Sequence, residues 1–155
     1  MNSSPVTKKV FLLSFLLSIV IIIAQVILVA SDNSTKIVFC DVGQGDGAYI
    51  RIKNRFDVVI DAGPNRKILN CLGKYMPFYD RTIELAILSH NQKDHFGGFI
   101  YLTDRYSIKT FILSPSTNTG KTFSLLKEKF VKKKIKTEVV SEGSRINVLN
   151  DLFVF

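Results

Sequence analysis

Two histidines are all that this 155-residue chain contains, and both fall in one ten-residue stretch, Ser89-His90-Asn91-Gln92-Lys93-Asp94-His95-Phe96-Gly97-Gly98. Asp94 and His95 are adjacent, and His90 stands five residues before His95. Imidazole and carboxylate together suit zinc, manganese or iron. A polar loop that happens to hold two unrelated histidines is the plainer explanation. The confinement of every histidine to one stretch beside an aspartate favours metal binding through His90, Asp94 and His95, with Asp94 as the catalytic candidate. The paired glycines permit a tight turn from strand to helix.

Such residues need a scaffold that brings them to one point. Leu85-Ala86-Ile87-Leu88 is a continuous apolar run, the mark of a strand buried on both faces, and the His/Asp stretch begins where it ends. Ligands in α/β folds collect beyond the carboxyl ends of such strands. Upstream, Ile37–Cys40, Ala48–Ile52 and Asp57–Ile60 read as an antiparallel meander. The glycine stretch from Asp41 to Gly47 ends the first strand, Asn54-Arg55 makes a turn, and Asp61-Ala62-Gly63-Pro64 breaks the third strand. Ile68–Tyr75 has helical spacing. Downstream, a short helix ends near Arg105, and Ile108–Leu113 is another buried strand. Thr122–Lys134 is an amphipathic helix with Phe123, Leu126, Phe130 and Val131 inward. Thr137–Val140, Ile146–Leu149 and Leu152–Phe155 read as strands. Alternating β and α elements after a meander predict an α/β layered architecture. The apolar run Leu152–Phe155 has no turn or cap behind it and needs a neighbouring strand. This predicts a domain cut off in its course.

Four segments, in order, resemble the metallo-β-lactamase superfamily in its ComEC-like (DNA internalisation) branch. Phe39-Cys40-Asp41-Val42-Gly43-Gln44-Gly45-Asp46 is similar to that branch's opening DVGQGD turn. Val58-Val59-Ile60-Asp61-Ala62-Gly63-Pro64 is similar to its IDTGP strand. Leu88-Ser89-His90 and Asp94-His95-Phe96-Gly97-Gly98 resemble its HxDxDH loop. The resemblance covers residues 36–155. It implies the N-terminal half of an αββα sandwich with a metal site at the edge of two sheets, holding zinc or manganese. A divalent ion there lowers the pKa of bound water to about 7 and so supplies a nucleophile for phosphodiester, ester or amide cleavage. By the same resemblance His90 binds one metal, while Asp94 and His95 bind or shape a second. Asp61 orients a ligand from behind, and Asp41 and Asp46 shape the glycine loop. Gln92 departs from the family, because an amide oxygen stands where His or Asp is expected. The later aspartate and histidine of the family have no counterpart after His95, so the ligand set is too small for a dinuclear centre.

From Val10 to Ala30 the chain carries no charge and only Ser14, Ser18 and Gln25 as polar interruptions. At about 1.5 Å per residue such a helix can cross a membrane. Lys8 and Lys9 before it and Asp32 after it predict a cytoplasmic N-terminus, residues 1–9, with everything after residue 31 outside. Lys36, Arg51 and Lys53 weaken that bias. A cleaved signal peptide has a shorter apolar region of about 7–15 residues, so residues 10–30 read as an uncleaved single-pass anchor, followed by a linker, 31–35, and the domain, 36–155.

The net charge of +8 favours anionic partners. The lysines between Lys127 and Lys136 read as a solvated helix face in preference to a nucleic-acid patch. Cys40 and Cys71 fit no CxxC pattern and read as small buried hydrophobes rather than a disulfide. Thr119-Gly120-Lys121-Thr122 has the end of a P-loop, but Pro115 stands where its first glycine belongs. Gly43, Gly45 and Gly47 lack the GxGxxG spacing and precede a strand, so the turn reading wins.

The function these readings predict is a membrane-anchored, metal-dependent hydrolase of ComEC type, a nuclease or phosphodiesterase linked to DNA uptake, present as a fragment and inactive alone. Its partners are the membrane, through residues 10–30, and DNA or another anionic substrate; no protein partner is indicated. Two alternatives stand beside it: a tethered module that kept the fold but lost part of the metal site, and an exported hydrolase of some other substrate.

Overall fold

A computed structural model describes residues 5–31, 33–115, 120–141, 143–148 and 151–154. Asp32, Thr119, Leu149 and Phe155, which the sequence reading used, lie outside them. The chain divides into two units, 1–34 and 35–155.

The first unit is one helix, α1 (Pro5–Ala30). Proline suits the first turn of a helix because its missing N–H has no partner to lose there. Over Lys8–Leu28 this helix is long and apolar enough to cross a membrane, with a mean hydropathy of 2.9. Its serines are satisfied within the helix: Ser14 Oγ donates to the Phe11 carbonyl and Ser18 Oγ to the Ser14 carbonyl, both at 2.9 Å. The hydroxyls therefore need no partner outside the helix.

The second unit is a mixed α/β fold around a six-stranded sheet in the order β1-β2-β3-β4-β5-β6. The strands are β1 (Lys36–Phe39), β2 (Gly47–Ile52), β3 (Phe56–Ala62), β4 (Thr82–Leu88), β5 (Ser107–Leu113) and β6 (Lys136–Val139). As the alternation predicts, β1 to β3 form an antiparallel meander, and β3 to β6 run parallel. The helices α2 (Ile68–Tyr75), α3 (Lys93–Phe96), α4 (Phe99–Arg105) and α5 (Lys121–Lys132) connect the parallel strands.

Period-two alternation gives the sheet two apolar faces. Tyr49, Val59, Ala86, Leu88 and Phe111 share one core with residues of α2, α4 and α5. Ile50, Ile52, Val58, Leu85, Ile87 and Ile112 form the other core, which includes Val148 and Ile146 of β7 (Arg145–Val148). β7 pairs antiparallel with β8 (Asp151–Val154), so the apolar run at the end of the sequence has its neighbour. Helices lie on one face and the hairpin on the other, which makes three layers among the described residues.

Three sequence expectations are corrected. Val131 points outward, 80% exposed, while Phe123, Leu126 and Phe130 are buried. At about 100° per residue, Val131 lies roughly a quarter turn beyond the stripe the other three define. Cys40 and Cys71 are joined in a disulfide, with Cα atoms 5.6 Å apart. They are 31 residues apart in sequence, and only the packing of α2 against the end of β1 brings them together. The His/Asp stretch is not all loop: Lys93–Phe96 closes a helical turn.

At the end of the sheet where β3 begins lies a buried polar network that the sequence did not announce. Asp57, fully buried, accepts from Tyr49 Oη at 2.6 Å and pairs with Arg51, which also reaches Asp80 at 3.1 Å. Glu84 accepts the Asp57 N–H at 2.8 Å. Burial raises the pKa of Tyr49, reinforced by the Asp57 carboxylate. Burial likewise holds Asp57 and Glu84 above the usual carboxylate range.

Candidate functional site

The site is built at the carboxyl ends of β3 and β4. Gly47 pairs with Ala62 and Ala48 with Ile60, so Asp61 is the extra residue of a β-bulge. Its φ is +52°, in the left-handed region. For a residue with a side chain this costs about 1–3 kcal/mol and collects at functional positions. A bulge re-aims the side chain it carries, and here it turns a carboxylate toward the segment that leaves β4.

Asp61 is buried and accepts three hydrogen bonds. Its Oδ1 receives the Ser89 N–H at 2.9 Å, and its Oδ2 receives Ser89 Oγ at 2.5 Å. Oδ2 also lies 2.9 Å from His95 Nδ1. A carboxylate only accepts, so Nδ1 of His95 carries a proton, and in the neutral imidazole Nε2 keeps its lone pair. Ser89 has one hydroxyl proton, given to Asp61. The 3.1 Å contact between Ser89 Oγ and His90 Nδ1 is then a donation from the imidazole. In its neutral form His90 too has its lone pair on Nε2. One carboxylate, directly and through one serine, sets the tautomers of both histidines. Their rings lie 3.7 Å apart, centroid to centroid, at 52°.

His95 is buried, while His90 is exposed. His95 Nε2 stands 3.8 Å from Asp94 Oδ2. The glycine loop closes the other side. Asp46 Oδ2 is 3.8 Å from His95 Nδ1, and the Asp46 carbonyl accepts the Gly63 N–H at 2.8 Å. A Cβ on Gly45, whose φ is +116°, would sit 2.1 Å from the Asp94 carbonyl oxygen. Asp41 accepts from the Gly43 N–H at 3.2 Å and shapes the loop without reaching the histidines. Gln92 is exposed and acts through its backbone: its carbonyl accepts the N–H groups of His95 and Phe96 at 3.0 Å and starts α3.

The paired glycines play a different part from the one the sequence suggested. Both have ordinary helical backbone angles. What they supply is closeness: a Cβ on Gly98 would fall 2.0 Å from the Ala62 carbonyl oxygen, and one on Gly97 2.4 Å from that of Pro64. The helical segment is thereby pressed onto the end of β3, which puts His95 against Asp61.

The sequence reading thus named His90, Asp94, His95, Asp61 and Asp46, and the structure brings them together. It missed Ser89 as a working residue; its place between strand end and first histidine was the available signal. Among the described residues no group of three or more His, Cys, Asp or Glu side chains could hold a metal ion. The donor set therefore does not amount to a metal centre by itself. On α5, Lys129 pairs with Asp104 at 2.5 Å, and Lys127 lies over the Phe123 ring at 4.9 Å.

No family model matches the chain. No curated protein matches it either. Among solved structures, its neighbours are metallo-β-lactamase-fold proteins. The Rm3 metallo-β-lactamase is 18% identical with a TM-score of 0.49, over 81% of this chain and 52% of its own. The metallo-β-lactamase fold protein YhfI from Bacillus subtilis is 17% identical with a TM-score of 0.47, over 74% and 48%. A diphosphatase from the PhnP family is 17% identical with a TM-score of 0.46, over 72% and 43%. The chain spans about half the length of these structures. Likeness at this level fixes neither family nor activity.

Proposed function

We propose that this chain is the histidine-bearing part of a membrane-anchored, metal-dependent hydrolase of the ComEC-like type, acting on phosphodiesters of DNA outside the cytoplasm. The observation that carries the reading is the Asp61–His95 pair. A metal-ligating histidine characteristically gives its other ring N–H to a carboxylate, which fixes the ring and raises its basicity. His95 is held in that way, with Nε2 open beside Asp94. His90 presents the same free nitrogen. In this reading these residues are part of a ligand set for zinc or manganese.

The anchor reading is supported by the 21-residue apolar span and the lysines that precede it. The Cys40–Cys71 disulfide supports the same side for the domain, because disulfides persist in oxidising compartments and are rare in the cytosol.

A second reading is a tethered binding module without catalysis. It is favoured by the incomplete ligand set and by exposed, neutral Gln92. Calorimetry with zinc and manganese on the full chain in detergent separates the two. The hydrolase reading expects weak uptake that a chelator strips easily, lost in His95→Ala and tightened in Gln92→Asp. Equal uptake by wild type and His95→Ala would sink it.

A further inference from the structure

The six-stranded sheet has a second end, opposite the histidines, and that end is basic. β1 and β3 both run antiparallel to β2, so β1, β3, β4, β5 and β6 all start there. Each of these strands is entered through an exposed cation. Lys36 opens β1, Arg55 precedes β3 and Arg81 precedes β4. Arg105 ends the helix before β5, and Lys133 and Lys134 precede β6. Neighbouring strands stand about 4.8 Å apart, so the row extends for about 24 Å along the sheet.

The carboxylates of this end do not neutralise the row. Asp80 is taken by Arg51 at 3.1 Å, and Asp104 by Lys129 at 2.5 Å. Asp57 lies buried in the same network as Arg51. At the histidine end the signs balance, with Asp41, Asp46 and Asp94 against Arg66, Lys67 and Lys93. Much of the positive surplus therefore collects where the strands begin.

Two further features indicate the kind of anion this end meets. The loop between α2 and β4 carries Phe78, 85% exposed, and Tyr79, 67% exposed, just before Arg81. Their rings stand edge to face, 5.4 Å apart between centroids. Aromatic rings beside cations are the side chains that settle at the headgroup level of a membrane. The chain also enters the domain at this end. Only residues 31–35 separate α1 from β1, and such a linker reaches at most about 20 Å. With α1 in the bilayer, the start of β1 is kept within that distance of its surface.

We infer that the strand-start end of the domain docks on an anionic phospholipid surface, with Phe78 and Tyr79 in the headgroup layer and the cation row over the lipid phosphates. This rests on the anchor reading and adds to it a second membrane contact, made by the folded domain. A nucleic acid would also match a row of cations. The lipid is favoured because the tether holds headgroups beside this end at high effective concentration. Docked in this way, the domain carries the histidine loop away from the bilayer. The seven residues of β4 lead from the basic end to that loop, a rise of about 20 Å.

The chain holds no tryptophan, so Phe78→Trp places a single indole in the α2–β4 loop. The full-length variant is reconstituted in phosphatidylcholine vesicles, with or without about one third phosphatidylglycerol as the anionic lipid. In the anionic vesicles the indole emission should shift to the blue, and brominated acyl chains should quench it. In phosphatidylcholine alone, or at about 1 M salt, the emission should remain that of an indole in water. Gln44→Trp, in the glycine loop at the other end, should stay water-like throughout. Added to Phe78→Trp, Arg55→Gln/Arg105→Gln/Lys133→Gln should abolish the shift, and Arg66→Gln/Lys67→Gln/Lys93→Gln should leave it. All these side chains are exposed, and an unchanged melting temperature verifies the fold of each variant. A chain that stays with the vesicles through an alkaline wash but shows no shift would overturn the docking and spare the anchor. Equal shifts for the two indoles, or equal effects of the two triple variants, would do the same. A chain washed off the vesicles would overturn the anchor reading and the docking with it. A blue shift produced in phosphatidylcholine by an added oligonucleotide would assign the row to nucleic acid and overturn the lipid surface.

Discussion

Asp61 and His95, 34 residues apart in sequence, meet at 2.9 Å between Oδ2 and Nδ1, and that meeting orients the buried histidine of the site. The carboxylate is there because a bulge displaces it from the ladder of β3, and the histidine because glycines let α3 press on the strand end.

Asp61→Asn should therefore disturb the imidazoles more than the fold. An amide offers one neutral oxygen where the carboxylate accepted three hydrogen bonds. The nitrogen NMR spectrum should show His95 moving from a single Nδ1–H form to a tautomer mixture. On the hydrolase reading, zinc affinity should fall about 10–100-fold, the usual effect of losing such a partner. Ser89→Ala should disturb His90 and leave His95 nearly as it was. A variant spectrum identical to wild type would mean that Asp61 does not set the tautomer.

The disulfide closes a loop over a sequence separation of 31 residues, which by chain entropy corresponds to about 3–4 kcal/mol. Reductant, or the double change Cys40→Ser/Cys71→Ser, should lower the melting temperature of the second unit. Wild type under oxidising conditions should show no reactive thiol on full denaturation. Two thiols per chain would refute the bond.

Stability should fall as pH rises past the ordinary carboxyl range. Burial, first, then the neighbouring carboxylates of Asp57 and Asp80, raise the Glu84 pKa above its usual 4.5. A group raised in the folded state contributes stability that is complete below its unfolded pKa and lost as pH climbs through the folded one. Glu84→Gln keeps an oxygen for the Asp57 N–H but carries no charge. Its melting temperature should vary less with pH and exceed that of wild type at neutral pH. Buried Asp57 retains part of the slope. A lower melting temperature for Glu84→Gln at neutral pH would contradict this account.

Two glycines should respond oppositely to alanine. Gly45→Ala forces a Cβ into the Asp94 carbonyl at a positive φ, and should lower the melting temperature by more than about 5 °C, the equivalent of about 1 kcal/mol or more. Gly73, inside α2, has open space where a Cβ would stand, with nothing within 4 Å. Gly73→Ala should stabilise by about 0.5–1 kcal/mol through helix propensity. Thermal melts of both variants decide it.

Much of this molecule could be read from its residues one segment at a time. The strands and helices of the second unit follow from period-two and helical spacing, and the His/Asp stretch falls at the end of β4 because a continuous apolar run leads into it. The apolar length of residues 10–30 likewise needs no partner to be recognised. These features are local, and local periodicity encodes them. Tertiary structure alone decided the rest. Cys40 finds Cys71, Asp61 finds His95, and Arg51 finds Asp57 and Asp80 only once the sheet order and the packing of α2 and α3 are set. Val131 is the exception, since the helical angle alone sets it a quarter turn beyond the buried stripe and only its apolar character misleads. The bulge at Asp61 was hidden too, because nothing in Val-Val-Ile-Asp-Ala-Gly marks the residue that leaves the ladder. Pairing across long stretches of chain depends on which surfaces meet, and spacing along one segment carries no record of that.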